Sequence, residues 1–332
     1  MINHQILLAE LPEGALQERH FATATSRVAD PGPGEVLVRT ILLSIDPATR
    51  AWMAGRTYRS QLQADTVMPG FAVAEVLAGD LPAGTVVACE TGWQEYAVLP
   101  VKAARPIEVR SKLSHYLGAL GITGLTAYFG LLDVGRPNPG DTVVISAAAG
   151  ATGSVAGQLA RRYGCRVVGI TGSAAKNRLL EAELGFDATL NHHSPALYDD
   201  LKGACPTGVD VYFDNVGGRV LETVLPQMNT HGTIVCCGVV SQYDTTAPAP
   251  GPRSVPGLLV TKRLRMQGFL VTDYRDRWAT AETQLAGLIS SGELKVVEEI
   301  IDGLDNAPRA LIGLLAGENL GKRIVRAGKD PS

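Results

Sequence analysis

A two-domain α/β architecture is what this sequence predicts: a small β-barrel or sandwich followed by a parallel sheet wrapped on both faces by helices. Three observations carry that expectation. The chain has 332 residues, too many for one small core, and length alone implies about two domains. Between Glu35 and about Pro100 the apolar runs are short and punctuated by glycine and proline, the texture of short strands and tight turns. From Gly140 onward strand-like and helix-like runs alternate, the pattern of a doubly wound parallel sheet.

The elements follow in chain order. "GEVLVRTILLSIDP", "PGFAVAEVLAGD" and "AGTVVACETGWQEYAVLP" supply the strands of the first domain. Around Ser114 the texture changes, because "HYLGALGITGLTAYFGLLDVG" spaces its apolar residues as a helix does, with small residues where another backbone approaches. This sets the expected division into residues 1–117 and residues 118–287. In the second domain "DTVVISAA", "GSVAGQLARRYG", "CRVVGIT", "AAKNRLLEAELG", "DATLNH", "ALYDDLKGAC", "VDVYFDNVG", "GRVLETVLPQM" and "GTIVCCG" read in turn as strand and helix. A Pro-rich loop and a helix then lead to a sixth strand near "LRMQGFLV", followed by the helical "RWATAETQLAGLISSGEL". Residues 288–332 resume a strand, helix, strand rhythm and are expected to return to the first domain.

Composition narrows the function classes. Hydrophobic residues make up 45% and charged residues 19% of the chain, and the net charge is −3, which removes the electrostatic case for a nucleic-acid partner. No secretory pattern opens the sequence, and no apolar run approaches the roughly 20 residues of a membrane helix. A cytoplasmic protein without a membrane partner is expected. Cys89, Cys165, Cys205, Cys236 and Cys237 form an odd set without C-x-x-C spacing, so they read as reduced thiols, not as a disulfide framework or a zinc site.

The stretch "VVISAAAGATGSVAGQLARRYG" gives a strand, a turn of small residues and a helix, in the order that a dinucleotide pyrophosphate requires. Ala148 stands where the first glycine of G-x-G-x-x-G is usual, with Gly150 and Gly153 in register. Gly150, Ala151, Thr152 and Gly153 are therefore the expected cradle. An NAD site places an Asp or Glu about 20 residues downstream, where it holds the ribose hydroxyls. Here the second strand ends in Thr171, Gly172 and Ser173 instead. A 2′-phosphate would meet no carboxylate there, while Ser173 donates a hydrogen bond and Lys176 supplies charge. NADP(H) is expected over NAD(H).

With these residues in hand, "AAAGATGSVAGQLA", "GSAAKNRLLEAELGFDATLN", "VYFDNVGG", "CGVVSQYD", "LRMQGFLVTDY" and "GENLGKRIVRA" resemble the zinc-independent medium-chain dehydrogenase/reductases. Within them the resemblance is to the branch of prostaglandin and leukotriene reductases, alkenal double-bond reductases and curcumin-type reductases. It implies a GroES-like β-barrel catalytic domain, a Rossmann domain, NADPH bound between the two, and a homodimer. The implied activity is NADPH-dependent reduction of a carbon–carbon double bond conjugated to a carbonyl. By the same resemblance Gly172, Ser173 and Lys176 meet the 2′-phosphate. Asn215, Cys237, Gly238, Val239, Ser241, Gln242, Tyr243, Phe269, Leu270, Val271 and Asn319 line the rest of the cofactor.

Two departures stand out. His192 replaces a tyrosine that touches the adenosine phosphate region, and Ala48 of "DPATR" replaces a tyrosine that often borders the substrate. Where the zinc enzymes carry Gly-His-Glu, this chain has Gly70, Phe71 and Ala72, so no metal is expected. The carbonyl must then be polarised by hydrogen bonds as hydride reaches the β-carbon. Tyr243 is the first candidate donor, to the enolate or to the cofactor ribose. Tyr58 is the second tyrosine carried as a candidate, with Tyr274 at the pocket wall, and water is the expected source of the α-proton. Two rival readings remain: quinone reduction or allylic alcohol oxidation on the same scaffold, and a non-catalytic NADPH-binding structural or regulatory protein.

Overall fold

A computed structural model describes residues 1–245, 247 and 251–328. The chain divides into two units: Met1–Leu117 with Tyr243–Thr246 and the segment from Glu298 onward, and Gly118–Gln242 with Ala247–Val297. The Pro-rich loop expected after Tyr243 lies in part outside the described residues, as do residues 329–332 of the C-terminal segment.

The first unit is organised on the ten-residue strand Glu35–Ser44, whose residues are nearly all buried. One edge pairs antiparallel with Phe71–Gly79. The other pairs first with Tyr96–Pro100 and then with Lys322–Arg326. Register shifts at Leu37/Val38 and Thr40/Leu42 are the irregularities that bend a strand and strengthen its twist. Val86–Glu90, Arg105–Pro106 and Glu298–Asp302 extend this seven-stranded sheet. A second antiparallel sheet runs Phe21–Arg27, Ile2–Leu8, Thr66–Val67. The two sheets share a core that includes Ile6, Leu8, Leu43, Met68, Trp93 and Leu311. The strands Ile2–Leu8 and Phe21–Arg27 lack the apolar period that marks the others: "FATATSR" leaves no residue fully buried.

The second unit holds a six-stranded parallel sheet in the order Ala188–Asn191, Arg166–Thr171, Thr142–Ser146, Val209–Asp214, Met228–Cys236, Arg265–Gly268. In sequence terms this is the order 3-2-1-4-5-6 of a Rossmann sheet, and it puts the topological switch point between Thr142–Ser146 and Val209–Asp214. The expected sixth strand is Arg265–Gly268. Gly157 has a packing reason within the helix Ala151–Arg162: a Cβ there would lie 2.0 Å from the Phe186 ring. The apolar stretch after Ser114 is not one continuous helix. The helix Ile122–Phe129 widens from Gly130, where the Arg136 amide donates to Leu131 O at 2.8 Å, and the Phe213 and Phe269 rings fill the space a Gly130 Cβ would take.

Candidate functional site

The candidate dinucleotide site lies at the C-terminal ends of the second unit's strands. After Ser146 the chain enters a left-handed residue, Ala147 (φ 48°), a conformation strained for a side chain. The Gly150 amide closes the turn on Ala147 O at 2.9 Å. Gly150 is the N-cap of the helix Ala151–Arg162, whose first turn carries no acid. The backbone ladder begins with Ser154 N–H donating to Gly150 O at 3.0 Å, so the amides of Ala151, Thr152 and Gly153 precede it. A Cβ at Gly153 would lie 2.5 Å from Ala147 O; only glycine lets the helix start so close to the turn. Ala148 is tolerated in the first glycine position because Gly169 on the next strand makes room, an added Cβ there lying 3.1 Å from that of Ala148. Three unladdered amides at a helix N-terminus over a sheet switch point fit a pyrophosphate.

At the end of the next strand, Ser173 caps the helix Ala174–Ala182 by accepting the Lys176 amide at 3.4 Å. Its hydroxyl proton is still available to a ligand. The His192 amide donates to Thr171 O at 2.8 Å, which brings its ring over Gly172. Burial, then the charges of His193, Lys176 and Arg219, push the His192 imidazole below its ordinary value, against a Thr171 backbone bond that raises it. Cations at this strand end, with no carboxylate beside them among the described residues, fit a 2′-phosphate.

At the switch point Asp214 organises the loops, a role not seen in the sequence. Its buried carboxylate accepts from Tyr212 OH at 2.8 Å, Ser146 Oγ at 3.1 Å, and the Val216 and Gly217 amides at 3.0 and 2.9 Å. Burial pushes Asp214 up and those bonds pull it back. Asn215 donates its amide nitrogen Nδ2 to Ser146 O at 2.7 Å. The run from Cys237 is pinned to the same segment: Cys237 and Gly238 donate to Asp214 O, Val240 to Asn215 O, and Ser241 to Val216 O. The Val239 side chain rests near Gly217, and Gln242 is exposed. Packing and then the Asp214 charge push the Cys237 thiol up to about 12. Phe269 turns its ring into the core over Gly130, Leu270 is exposed, and Val271 O accepts from Trp278 Nε1 at 3.0 Å. Tyr274 stacks on Phe129 with centroids 4.6 Å apart.

The first unit carries the two candidate tyrosines. Asp244, next to Tyr243, accepts through one carboxylate oxygen from Arg50 Nε and from the Leu16 amide, both at 2.8 Å. Arg50 is 2% exposed on the helix Ala48–Ala54 and also donates to Gly14 O at 2.7 Å. Tyr58 meets Trp52 edge-on at 6.1 Å, with the Arg59 guanidinium 4.7 Å over the indole. Tyr58 is 63% exposed, yet the packing around its phenol chiefly, then the neighbouring Tyr243 and Asp46, push it up against an opposing Trp52 hydrogen bond. The buried Lys322 ammonium donates to Asp46 Oδ1 at 2.7 Å and to Ile45 O at 2.8 Å. Asn319 belongs to this unit, buried and donating to Gly321 O at 2.9 Å. Arg50 and Asp46 sit in the "DPATR" motif, yet nothing local marks their partners. At Gly70 a Cβ would lie 2.7 Å from the Trp93 indole, and no cluster of three or more metal-ligating side chains occurs among the described residues.

Sheet order, glycine turn and open helix start together define a Rossmann-type dinucleotide-binding protein with an appended β-unit. The chain matches the family descriptions "N-terminal domain of oxidoreductase" over residues 4–107 and "Zinc-binding dehydrogenase" over residues 151–287. It is 40% identical to the NADPH-dependent curcumin reductase of Escherichia coli K12, across 99% of this chain and 98% of that one. To prostaglandin reductase 1 of Rattus norvegicus it is 40% identical, across 95% and 96%. The crystal structure of CurA from Vibrio vulnificus in complex with NADPH superposes with a TM-score of 0.93 at 37% identity, covering 98% of this chain and all of the other. The chain belongs to the zinc-independent branch of the medium-chain dehydrogenase/reductases.

Proposed function

We propose that the protein is an NADPH-dependent reductase of carbon–carbon double bonds conjugated to a carbonyl. The observation that carries the reading is the unladdered helix start at the switch point beside a strand end that offers cations in place of a carboxylate. Relatives named as curcumin and prostaglandin reductases supply the substrate class. Bound NADPH supplies a hydride for the β-carbon. The amides of Ala151, Thr152 and Gly153 hold the pyrophosphate, and Ser173 with Lys176 holds the 2′-phosphate. The run Cys237–Gln242, fixed on Asp214 and Asn215, shapes the nicotinamide end. Tyr243 donates its hydroxyl to the carbonyl oxygen, where negative charge accumulates during the reaction. Arg50 acts through Asp244 to position that tyrosine, Tyr58 and Trp52 form part of the substrate wall, and water protonates the α-carbon.

A cytoplasmic homodimer completes the proposal. Among the described residues Arg265–Gly268 is the outer strand of its sheet, and the apolar helix Val255–Lys262 packs Val255 and Leu258 against the core while leaving Val260 75% exposed. Such surface is ordinarily covered by a partner. No helix among the described residues is long and apolar enough to cross a membrane. The activity is tested by following NADPH oxidation with an enone, a quinone and an allylic alcohol plus NADP+, with product identification. The reading expects the saturated ketone from the enone; turnover of the quinone alone would replace it with quinone reduction.

A further inference from the structure

The end of the strand Arg166–Thr171 carries more than the lysine and serine already described. A Cβ built on Gly172 would lie 3.0 Å from His192 Cε1, 3.7 Å from His192 Nδ1 and 3.7 Å from His193 Nε2. Two imidazoles thus converge on the space above one glycine, their centroids 4.0 Å apart and their planes tilted by 46°. Their loop is fixed from both sides. The His193 amide donates to Asn191 Oδ1 at 2.9 Å, and Arg219 donates to Ser194 O at 2.9 Å and to His192 O at 3.5 Å. The charged groups acting on His192 are His193, Lys176 of the helix Ala174–Ala182, and Arg219 of the helix Gly218–Val224. On the neighbouring helix, the Asp200 carboxylate accepts from Ser194 Oγ at 2.7 Å. The His192 imidazole, partly buried, tilted against a second ring and faced by cations, resists protonation until an anion arrives.

We propose that His192, with His193 beside it, makes this strand end a proton-coupled phosphomonoester site, which the 2′-phosphate of NADP(H) enters together with a proton taken up at His192. The inference rests on the NADPH reading above and adds its pH dependence. The sign of proton exchange separates it from a simpler cradle. Permanent cations alone, Lys176 and Arg219, favour the phosphate dianion and strip protons from it, so binding would release protons. An imidazole held below its ordinary value in the free protein, as His192 is, takes a proton up when it gains an anionic partner. Phosphate affinity should then rise as pH falls toward the histidine range, until the phosphate itself protonates near pH ~6.

The test is calorimetric titration of the full chain with adenosine 2′,5′-bisphosphate, and with AMP as control, in two buffers of different ionisation enthalpy at about pH 7. Net proton uptake is expected with the bisphosphate and none with AMP. Bisphosphate affinity should weaken about 5-fold from about pH 6.5 to about pH 8, against less than about 2-fold for AMP. The double substitution His192→Asn, His193→Asn should abolish the uptake and flatten the pH profile. Proton release, or no exchange, with the bisphosphate still preferred would overturn the imidazole site and leave the NADPH reading standing. A bisphosphate that binds no tighter than AMP at any pH would remove both. The uptake measurement uses the unaltered protein, so it does not depend on the variant folding.

Discussion

Replacing Gly153 with alanine puts one carbon into a contact that no side chain can relieve. The new Cβ would lie 2.5 Å from Ala147 O, 2.8 Å from Ala148 Cα and 3.0 Å from Ala148 O. All three are backbone atoms of the turn. A comfortable separation is about 3.5 Å, so the turn and the helix start must part by about 1 Å. The amides of Ala151, Thr152 and Gly153 move with that displacement, and a hydrogen bond stretched from about 2.9 to about 3.9 Å is lost. Two such bonds to a charged group, at about 1.5 kcal/mol each, give about 3 kcal/mol, or roughly 100-fold in Kd. Overpacking itself costs about 1–3 kcal/mol, which lowers Tm by about 2–4 °C per kcal/mol in a unit of this size. The assay is titration followed by nicotinamide fluorescence, with circular dichroism to confirm folding. Because the pyrophosphate is common to both cofactors, NADPH and NADH should weaken together. A folded variant with Kd within about 3-fold of the parent, or one weakened for NADPH alone, would refute the reasoning.

The other predictions divide the site by residue. Lys176→Ala should weaken NADPH about 10- to 100-fold and NADH less than about 2-fold in the same titration; equal losses would take the 2′-phosphate away from Lys176. Tyr243→Phe should lower kcat about 10- to 100-fold in steady-state assays while leaving KM for NADPH within about 2-fold. An unchanged kcat would exclude Tyr243 as the polarising group. Asp244→Ala leaves the buried Arg50 guanidinium without its carboxylate and should cost about 3 kcal/mol in urea unfolding, together with a fall in kcat. A loss below about 0.5 kcal/mol would show that the pair does not anchor the Tyr243 segment.

Much of the second unit was legible because its strands are buried on both faces and stand out as apolar runs between helices. "VVISAAAGATG" declared both the strand and the anion cradle. The compensation for Ala148 was not visible there, since it comes from Gly169 on the neighbouring strand. The strands Ile2–Leu8 and Phe21–Arg27 escaped notice because "INHQ" opens the first with polar residues and "FATATSR" is a polar, largely exposed edge, so neither shows a clean apolar alternation. The supporting ion pairs escaped for a different reason. Arg50 and Asp244 are 194 residues apart, and Asp46 and Lys322 are 276 apart; spacing carries no signal for partners that meet only after folding. His192 was readable as a departure from a family tyrosine, but its pairing with His193 over Gly172 depends on the loop's turn.

Cofactor choice in this protein turns on whether the end of Arg166–Thr171 recognises a phosphate in place of ribose hydroxyls. Side-by-side titration of the unaltered protein with NADPH and NADH at one ionic strength tests it most directly. NADPH should bind about 10- to 100-fold more tightly; equal affinity, or a preference for NADH, would mean that no phosphate is recognised there.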